Sequence, residues 1–344
     1  MTGPQRTKLA VIGLGMAVTP HAKSLIDLQD RVEVIGCYSR SEDRRRQFAE
    51  RFDLPVTGDL NRLLTASVPD AALLLTPPNA RLELVKRLAA GGTAILMEKP
   101  IERTSDAANA LVNLCDRHRV ALGIVLQHRY RAGAKRLKSL IEGGVLGQLA
   151  VVCVWFPWWR PQAYYDEPGR GTLARDGGGV LISQAIHTLD LMLDLAGPVV
   201  EVTATGGTTG LHRMETEDMV AAGLRFENGA IGNIMASTAC FPGFSERIEL
   251  YGSQASAVLS PGELVVHHLD GRIDHQGEHH GSGGGADPMD FPHDAHRALI
   301  GDFLDALDQG RKPTIDGHEA LKVHRLIDAL IRAKDTGQRQ HLGI

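Results

Sequence analysis

Short runs of Val, Ile and Leu alternate with amphipathic helical stretches from Lys8 to Leu126. After Gln127, strand-like runs follow one another with no helix between them. A Gly13-Leu14-Gly15 turn stands between the first apolar run and the first helical stretch. These three observations predict an α/β protein. Its N-terminal part is a doubly wound Rossmann parallel sheet, and its C-terminal part is an α+β domain with a large, mostly antiparallel open sheet.

The elements can be placed in order. In the first half the predicted strands are Leu9–Ile12, Val32–Tyr38, Ala71–Leu75, Ala94–Met97 and Leu122–Leu126, with a weaker one near Val56. Ala17–Leu28, Ser41–Arg51, Asn79–Ala90 and Ser105–His118 carry apolar residues at helical spacing. Beyond Gln127, a helix at about Ala134–Glu142 and a strand at Leu149–Trp155 lead into an aromatic loop, then into a helix opened by Gly177-Gly178-Gly179. Strands are expected at Val199–Thr208, Met219–Phe226, Ala230–Thr238, Arg247–Tyr251, Ala255–Leu259 and Leu264–His268. Asp270 to Pro292, rich in Gly, His and Asp, reads as a surface loop. Two helices, about His293–Gln309 and His318–Thr336, complete the chain. The expected division is 1–126 for dinucleotide binding, 127–292 for substrate binding and oligomerisation, and 293–344 for helices packing back across both. The open face of the second sheet, read as carrying Val220, Leu224, Phe226, Ile231, Ile234 and Met235, is expected to pair with another copy of the chain.

The 344 residues exceed the usual size of a single core, consistent with two domains. A net charge of -4, from 37 basic and 41 acidic residues, argues against nucleic acid or an anionic membrane as a partner. Cys37, Cys115, Cys153 and Cys240 are scattered with no CxxC pair, so they read as reduced thiols and not as a disulfide frame or a zinc site. Met1 to Thr7 lacks the apolar core of a signal peptide, and no apolar run reaches membrane-spanning length; the cytoplasm is the expected location. His267, His268, His275, His279 and His280 lack regular ligand spacing, so no metal centre is expected of them.

Gly13, Gly15 and Met16 open a helix directly after a strand, the setting in which backbone amides receive a pyrophosphate. Val18 stands where a third small residue is usual. At the end of the second strand, an NAD-preferring site carries Asp or Glu against the adenosine ribose. Ser39 and Arg40 stand there instead, with Arg44 next in reach, which favours a 2′-phosphate and therefore NADP(H), with NAD(H) as the alternative. Arg45 and Arg46 read as a solvated helix face. Thr76-Pro77-Pro78 and Glu98-Lys99-Pro100 each end a strand on the same carboxyl edge, where open parallel sheets bind ligands. In the glycine-opened helix, Ser183 and His187 share a face, and Gln184 neighbours His187.

Taken together, Gly13-Leu14-Gly15, Glu98-Lys99-Pro100 and the run from Asp176 through His187 to Asp190 resemble the glucose-fructose oxidoreductase/inositol dehydrogenase/rhizopine-catabolism (Gfo/Idh/MocA) family across nearly the whole chain. The resemblance implies an NAD(P)-dependent dehydrogenase or reductase acting on CH–OH donors. It makes Lys99 the lysine that exchanges the substrate hydroxyl proton and His187 its partner. It places Thr76, Pro77, Pro78, Glu98 and Lys99 along the cofactor cleft, with Arg81 where relatives often carry His. It places Arg129 beside the cleft. Ser183 and Ala185 depart from the Asp and Gly of the family pattern, so proton handling rests on Lys99 and His187, with Ser183 or Gln184 orienting substrate. Asp190 reads equally well as structural or functional. A homodimer, or a homotetramer built from two dimers, is common in the family.

Trp155 to Tyr165 contains all three tryptophans and two of the five tyrosines. Aromatic faces pack on the C–H face of a ring, while Arg160, Tyr164 and Arg175 can fix polar groups. The expected substrate is a sugar, polyol or cyclic diol bearing a secondary alcohol or ketone. The stretch through Arg170 to Asp176 resembles sugar- and nucleotide-sugar-acting members, and Ser183-Gln184-Ala185 resembles members acting on cis-dihydrodiols of aromatic acids. Two other classes occur on this fold: an NAD-dependent glycosidase-type enzyme, and a non-catalytic ligand-sensing regulator.

Overall fold

The computed structural model describes residues 6–66, 68–277 and 292–343. The chain forms two compact units. One comprises Met1–Glu102, Asp106–Gln127 and Pro292–Leu321, the other Arg103–Ser105, His128–Phe291 and Lys322–Ile344. The terminal segment expected to span both domains is thus shared out, its first part belonging to one unit and its last part to the other.

The first unit is built on six parallel strands: β1 (Thr7–Ile12), β2 (Val32–Tyr38), β3 (Val56–Thr57), β4 (Ala71–Leu74), β5 (Ala94–Glu98) and β6 (Leu122–Val125). Their order is β3-β2-β1-β4-β5-β6, and every pair is parallel. β1, β4, β5 and β6 are buried nearly throughout, because crossover helices cover both faces of the sheet. Successive strands are added outward on one side of β1 (β2, β3) and then on the other (β4, β5, β6), leaving a crevice at the carboxyl ends of β1 and β4. A short helix at Leu60–Thr65, capped by Asp59, was not expected from the sequence. The helix Asp294–Asp308 packs on the helix Val18–Asp27. Phe303 fills the space above Gly123 where a side chain would stand, and Ile124 N–H donates to the Ile315 carbonyl.

The second unit carries a nine-stranded sheet: β7 (Leu149–Pro157), β8 (Val199–Gly207), β9 (Met219–Phe226), β10 (Ile231–Ser237), β11 (Arg247–Gly252), β12 (Ala255–Ser260), β13 (Glu263–His268), β14 (Ile273–Gly277) and β15 (Gln340–His341). The order is β14-β13-β12-β11-β7-β10-β9-β8-β15, antiparallel throughout except for β7 and β10, which run parallel from Ile231↔Val151 to Ser237↔Pro157. Helices Ala132–Glu142 and Ile186–Ala196 pack on one face. β14 corrects the reading of Asp270 to Pro292 as a loop, since Ile273–Gly277 pairs with β13; the rest of that stretch, with His279 and His280, lies outside the described residues.

The faces of this sheet also differ from the sequence reading. Val220, Leu224, Phe226 and Ile234 are buried, alternating with exposed neighbours, and form the inner face of the sheet. Of the residues read there, Ile231, 56% exposed, does lie on the open face, together with Val151, Tyr251 and Ile273. Strand alternation left the choice of face undetermined by one residue of register. No helix among the described residues is long and apolar enough to cross a membrane. Burial raises the thiols of Cys37 and Cys115 to about 12, so both are protonated packing groups.

Candidate active site

At the carboxyl edge of the first sheet, Gly13 adopts φ +114°, and a β-carbon there would sit 2.9 Å from the Leu75 carbonyl carbon. Only glycine lets β1 turn this close to β4. A β-carbon on Gly15 would meet nothing within 4 Å, so the backbone at the helix entry is open to a ligand. Met16 is exposed beside it. These features fit a dinucleotide pyrophosphate seated over Gly13 and Gly15.

Beyond β2, Ser39 Oγ accepts a hydrogen bond from the Ser41 amide, and Arg40 is exposed. Arg45 reaches back under this turn, donating from Nη1 to the carbonyls of Ser39 (2.6 Å) and Arg40 (3.1 Å). Arg44 lends its backbone amide to the Ser41 cap of the helix. The expectation that Arg45 is a solvated helix face is therefore corrected: it fixes the turn that presents Ser39 and Arg40. Arg46 pairs with Asp43 on the surface. No carboxylate stands at the Ser39–Arg40 position.

Thr76, Pro77 and Pro78 leave β4 and Lys99-Pro100 leaves β5, the latter through a cis peptide bond. Arg81, only 1% exposed, ties the two turns together. Its guanidinium donates to the Thr76 carbonyl from Nε (2.9 Å) and Nη2 (2.6 Å), and from Nη1 to the carbonyls of Pro100 and Ile101. Burial lowers its pKa to about 10, opposed by the charges of Glu98 and Glu102, so it remains a cation. On the other side of the strand end, His21 Nε2 lies 2.8 Å from Glu98 Oε1, and Glu98 Oε2 accepts the Lys99 amide at 3.1 Å. Burial works to raise the Glu98 carboxyl. The hydrogen bond from His21 and the charges of His21, Lys99 and His296 outweigh it, holding the group below the usual carboxylate range. His21, Glu98 and His296 bring ligand-type atoms within 4.8 Å of one another, but both Glu98 oxygens are already engaged, which reads as an ion-pair network.

In the second unit, the glycine-opened helix begins with a π turn over Leu181–Ala185 before Ile186–Ala196 continues as α-helix, a departure found often at functional sites. That turn contains Ser183, whose Oγ donates to the Gly178 carbonyl at 3.3 Å. Glu217 supplies the cap: its carboxylate accepts the amides of Gly179 (3.1 Å) and Leu181 (3.3 Å). Burial pushes the Glu217 carboxyl above its ordinary range, and those amides pull it back.

Gln184 Nε2 reaches the Tyr164 hydroxyl at 3.4 Å. The Tyr164 ring lies under two guanidinium groups, Arg170 at 4.1 Å and Arg160 at 5.6 Å. Arg160 is 1% exposed and also lies 4.9 Å over Trp158, so it supports the aromatic floor from beneath. Arg170 therefore joins this cluster although the sequence reading did not single it out. Arg175 donates to the Pro168 carbonyl and shapes the 166–176 loop. Arg129 makes a bidentate pair with Asp190, Nε to Oδ2 at 2.7 Å and Nη2 to Oδ1 at 2.5 Å, and reaches Asp194 at 3.2 Å. Asp190 is thus the ion-pair partner of Arg129 on the helix that carries His187. His187 is half-buried, its ring stacked on His128 at a centroid distance of 4.9 Å. His268 and His275, two of the histidines of the Gly-rich region, bond to Asp274 and Glu263.

The comparisons agree with this layout. A family model described as an oxidoreductase family with an NAD-binding Rossmann fold matches residues 7–125, and the GFO/IDH/MocA C-terminal domain matches residues 134–258. Myo-inositol 2-dehydrogenase from Thermotoga maritima is 26% identical over 252 residues, covering 72% of this chain and 73% of that protein. The scyllo-inositol 2-dehydrogenase (NADP(+)) of Bacillus subtilis is 22% identical over 271 residues, 78% of this chain and 70% of its own. The crystal structure of the WlbA dehydrogenase from Bordetella pertussis, in complex with NADH and UDP-GlcNAcA, aligns with a TM-score of 0.83 at 27% identity, covering 99% of this chain and 100% of that one. With the nucleotide edge and strands β7 to β11 of the second unit each falling within a matched segment, the chain belongs to the GFO/IDH/MocA family of NAD-binding oxidoreductases.

Proposed function

We propose that this protein is an NADP(H)-preferring dehydrogenase that interconverts a secondary alcohol and a ketone on a sugar, polyol or related cyclic substrate. The observation that carries the reading is the fixed turn at Lys99, held by Glu98 on one side and by Arg81 through Pro100 on the other. A lysine held this way at a ligand-binding sheet edge can take the hydroxyl proton during oxidation and return it during reduction. The nicotinamide, when bound, supplies hydride transfer. Gly13, Gly15 and Met16 would hold the pyrophosphate, and Thr76, Pro77, Pro78 and Glu98 would line the nicotinamide side. Ser39 and Arg40, on the turn braced by Arg45, would hold the 2′-phosphate, with Arg44 at their side.

In the second unit, His187 would hold or relay the hydroxyl proton, and Ser183, Gln184 and Tyr164 would fix neighbouring hydroxyls. Arg160, Arg175 and Arg129 serve by supporting these groups, given the partners they already have. A substrate carrying a carboxylate or a nucleotide-linked sugar is the second reading, favoured by Arg170 over the Tyr164 ring and by the ligand of the WlbA relative. Self-association into a dimer or a tetramer would cover Ile231, Val151, Tyr251 and Ile273 on the open sheet face.

The test is an absorbance screen at the reduced-nicotinamide band with both cofactors against inositols, sugars, uronates, nucleotide sugars and cyclic diols. Turnover on a member of these classes, lost in Lys99→Ala, is the expected result. Tight cofactor binding with no turnover on any of them would favour a sensing role, and substrate cleavage without net cofactor reduction a glycosidase-type reaction.

A further inference from the structure

Two consecutive residues of the Gln127–Tyr130 turn grip the helix that carries His187. Arg129 holds Asp190 through two hydrogen bonds, and His128 stacks on His187, three residues earlier on the same helix, at 4.9 Å with the planes inclined by 27°. His128 is itself held from behind. Arg131 Nη2 lies 2.7 Å from His128 Nε2. A guanidinium has only donors, so this nitrogen is the acceptor and the His128 proton sits on Nδ1. Arg131 is fixed in turn by Glu246, whose buried carboxylate accepts its Nη1 at 2.9 Å and the Trp158 indole N–H at 3.1 Å. The chain of contacts runs Trp158, Glu246, Arg131, His128, His187, and of these Trp158, Glu246 and His128 are buried.

The geometry points to His128 as a positioning residue for His187, set in its neutral Nδ1–H form by Arg131 and Glu246. This rests on the reading that His187 serves the substrate. A neutral ring matters because a protonated His128 would lay a second cation directly on the His187 face and disfavour its taking up a proton. Arg131 cannot accept, so it blocks protonation at the one nitrogen that would create that charge. The stack also fixes the plane of the His187 ring, which decides where its nitrogens point.

The experiment has a part that needs no substrate. Histidine ring nitrogens of the full-length protein, labelled with nitrogen-15, are read at neutral pH, and His128 is assigned by comparison with His128→Phe. An unprotonated Nε2 and a protonated Nδ1 are expected; Nε2 protonation in the wild type would overturn the proposal. Arg131→Met should release the ring to the commoner Nε2–H form, and an unchanged Nδ1–H signal would remove Arg131 from it.

The kinetic part compares His128→Phe, which keeps a stacked ring, with His128→Ala, which does not. The alanine variant should lose at least tenfold in kcat with its cofactor Kd unchanged, and the phenylalanine variant should recover most of that loss. Equal losses in both, or none in the alanine variant, would overturn the positioning role. If His187→Ala itself retains full turnover, the functional reading has failed, while the nitrogen spectra still decide the state of His128.

Discussion

Gly179 lies so close to Glu217 that a β-carbon on it would sit 1.8 Å from the Glu217 backbone oxygen. No rotation of a side chain relieves that overlap, because the obstructing atom belongs to the main chain. Gly179→Ala should therefore cost several kcal/mol, on the order of 3–4, by displacing the helix from its Glu217 cap. Urea unfolding reads this directly, and a midpoint unchanged from wild type would show that the segment of Glu217, ahead of β9, yields more easily than its packing indicates.

Removing the Lys99 amine should leave the nucleotide edge intact. Lys99→Ala is expected to bind the cofactor within threefold of wild type while losing at least a hundredfold in kcat, about 2.7 kcal/mol of barrier. Fluorescence titration and steady-state rates together check it. A variant retaining a tenth of the wild-type rate would take the proton transfer away from this residue.

Cofactor preference resides in the turn beyond β2. Ser39→Asp with Arg40→Leu should reverse a preference for NADP(H), since the new carboxylate repels a 2′-phosphate. Arg45→Ala should weaken the same preference without touching ligand, because Arg45 braces the carbonyls of Ser39 and Arg40. Competitive binding of the two cofactors decides the matter, and a wild-type protein already tighter for NAD(H) would refute the assignment.

Glu98 gives the fold a signature in pH. Its carboxyl is held below the ordinary 4.5, so the native state favours the ionised form more than the unfolded chain does. Such a group stabilises fully above about 4.5 and loses that contribution as the pH falls through its folded value. Glu98→Gln should be less stable than wild type at pH 7 by about 1–3 kcal/mol, and the gap should narrow below pH 4.5. Unfolding midpoints measured in pH steps test this. A gap that stays constant down to pH 3 would mean that Glu98 titrates no differently in the two states.

Self-association should depend on the exposed apolar residues of the open sheet face. Ile231→Lys, on the exposed face of β10, is expected to shift the protein to a smaller species in light scattering. An equivalent change at the buried Leu224 should instead unfold it. A wild-type protein that is monomeric at micromolar concentration would end the proposal.

The first sheet was legible because its strands are apolar on both faces and its turns fall at glycine and proline, so each element announces itself locally. The second sheet was legible as a set of strands but not as faces, since one residue of register exchanges Ile231 for Gly232. Single functional positions were read where a motif named them, as at Gly13 and Lys99. Arg81, Arg170, Arg131 and Glu217 were not: each acts through a partner distant in sequence, or on a main-chain carbonyl or amide that no residue type advertises. Arg45 was misread because its role lies in curling back along its own helix, whereas a run of three arginines ordinarily faces water.

The cover that Phe303 and Ile315 give to β6 has a consequence for how the protein is made. A ribosome that has just released Gln127 has delivered all six strands of the nucleotide-binding sheet, yet the last of them still has a bare flank. That flank waits until all of the second sheet but β15 has been synthesised. The second sheet is itself late, because β7 lies between β10 and β11, and neither partner emerges until β8 and β9 have been made. The nucleotide-binding sheet is thus covered only after strands β7 to β14 have been made, and partly built sheets stand open in the meantime. Cutting the gene after the sixth strand would yield an unfinished domain. A separable nucleotide-binding half would have to be spliced from residues 6–127 and 292–321.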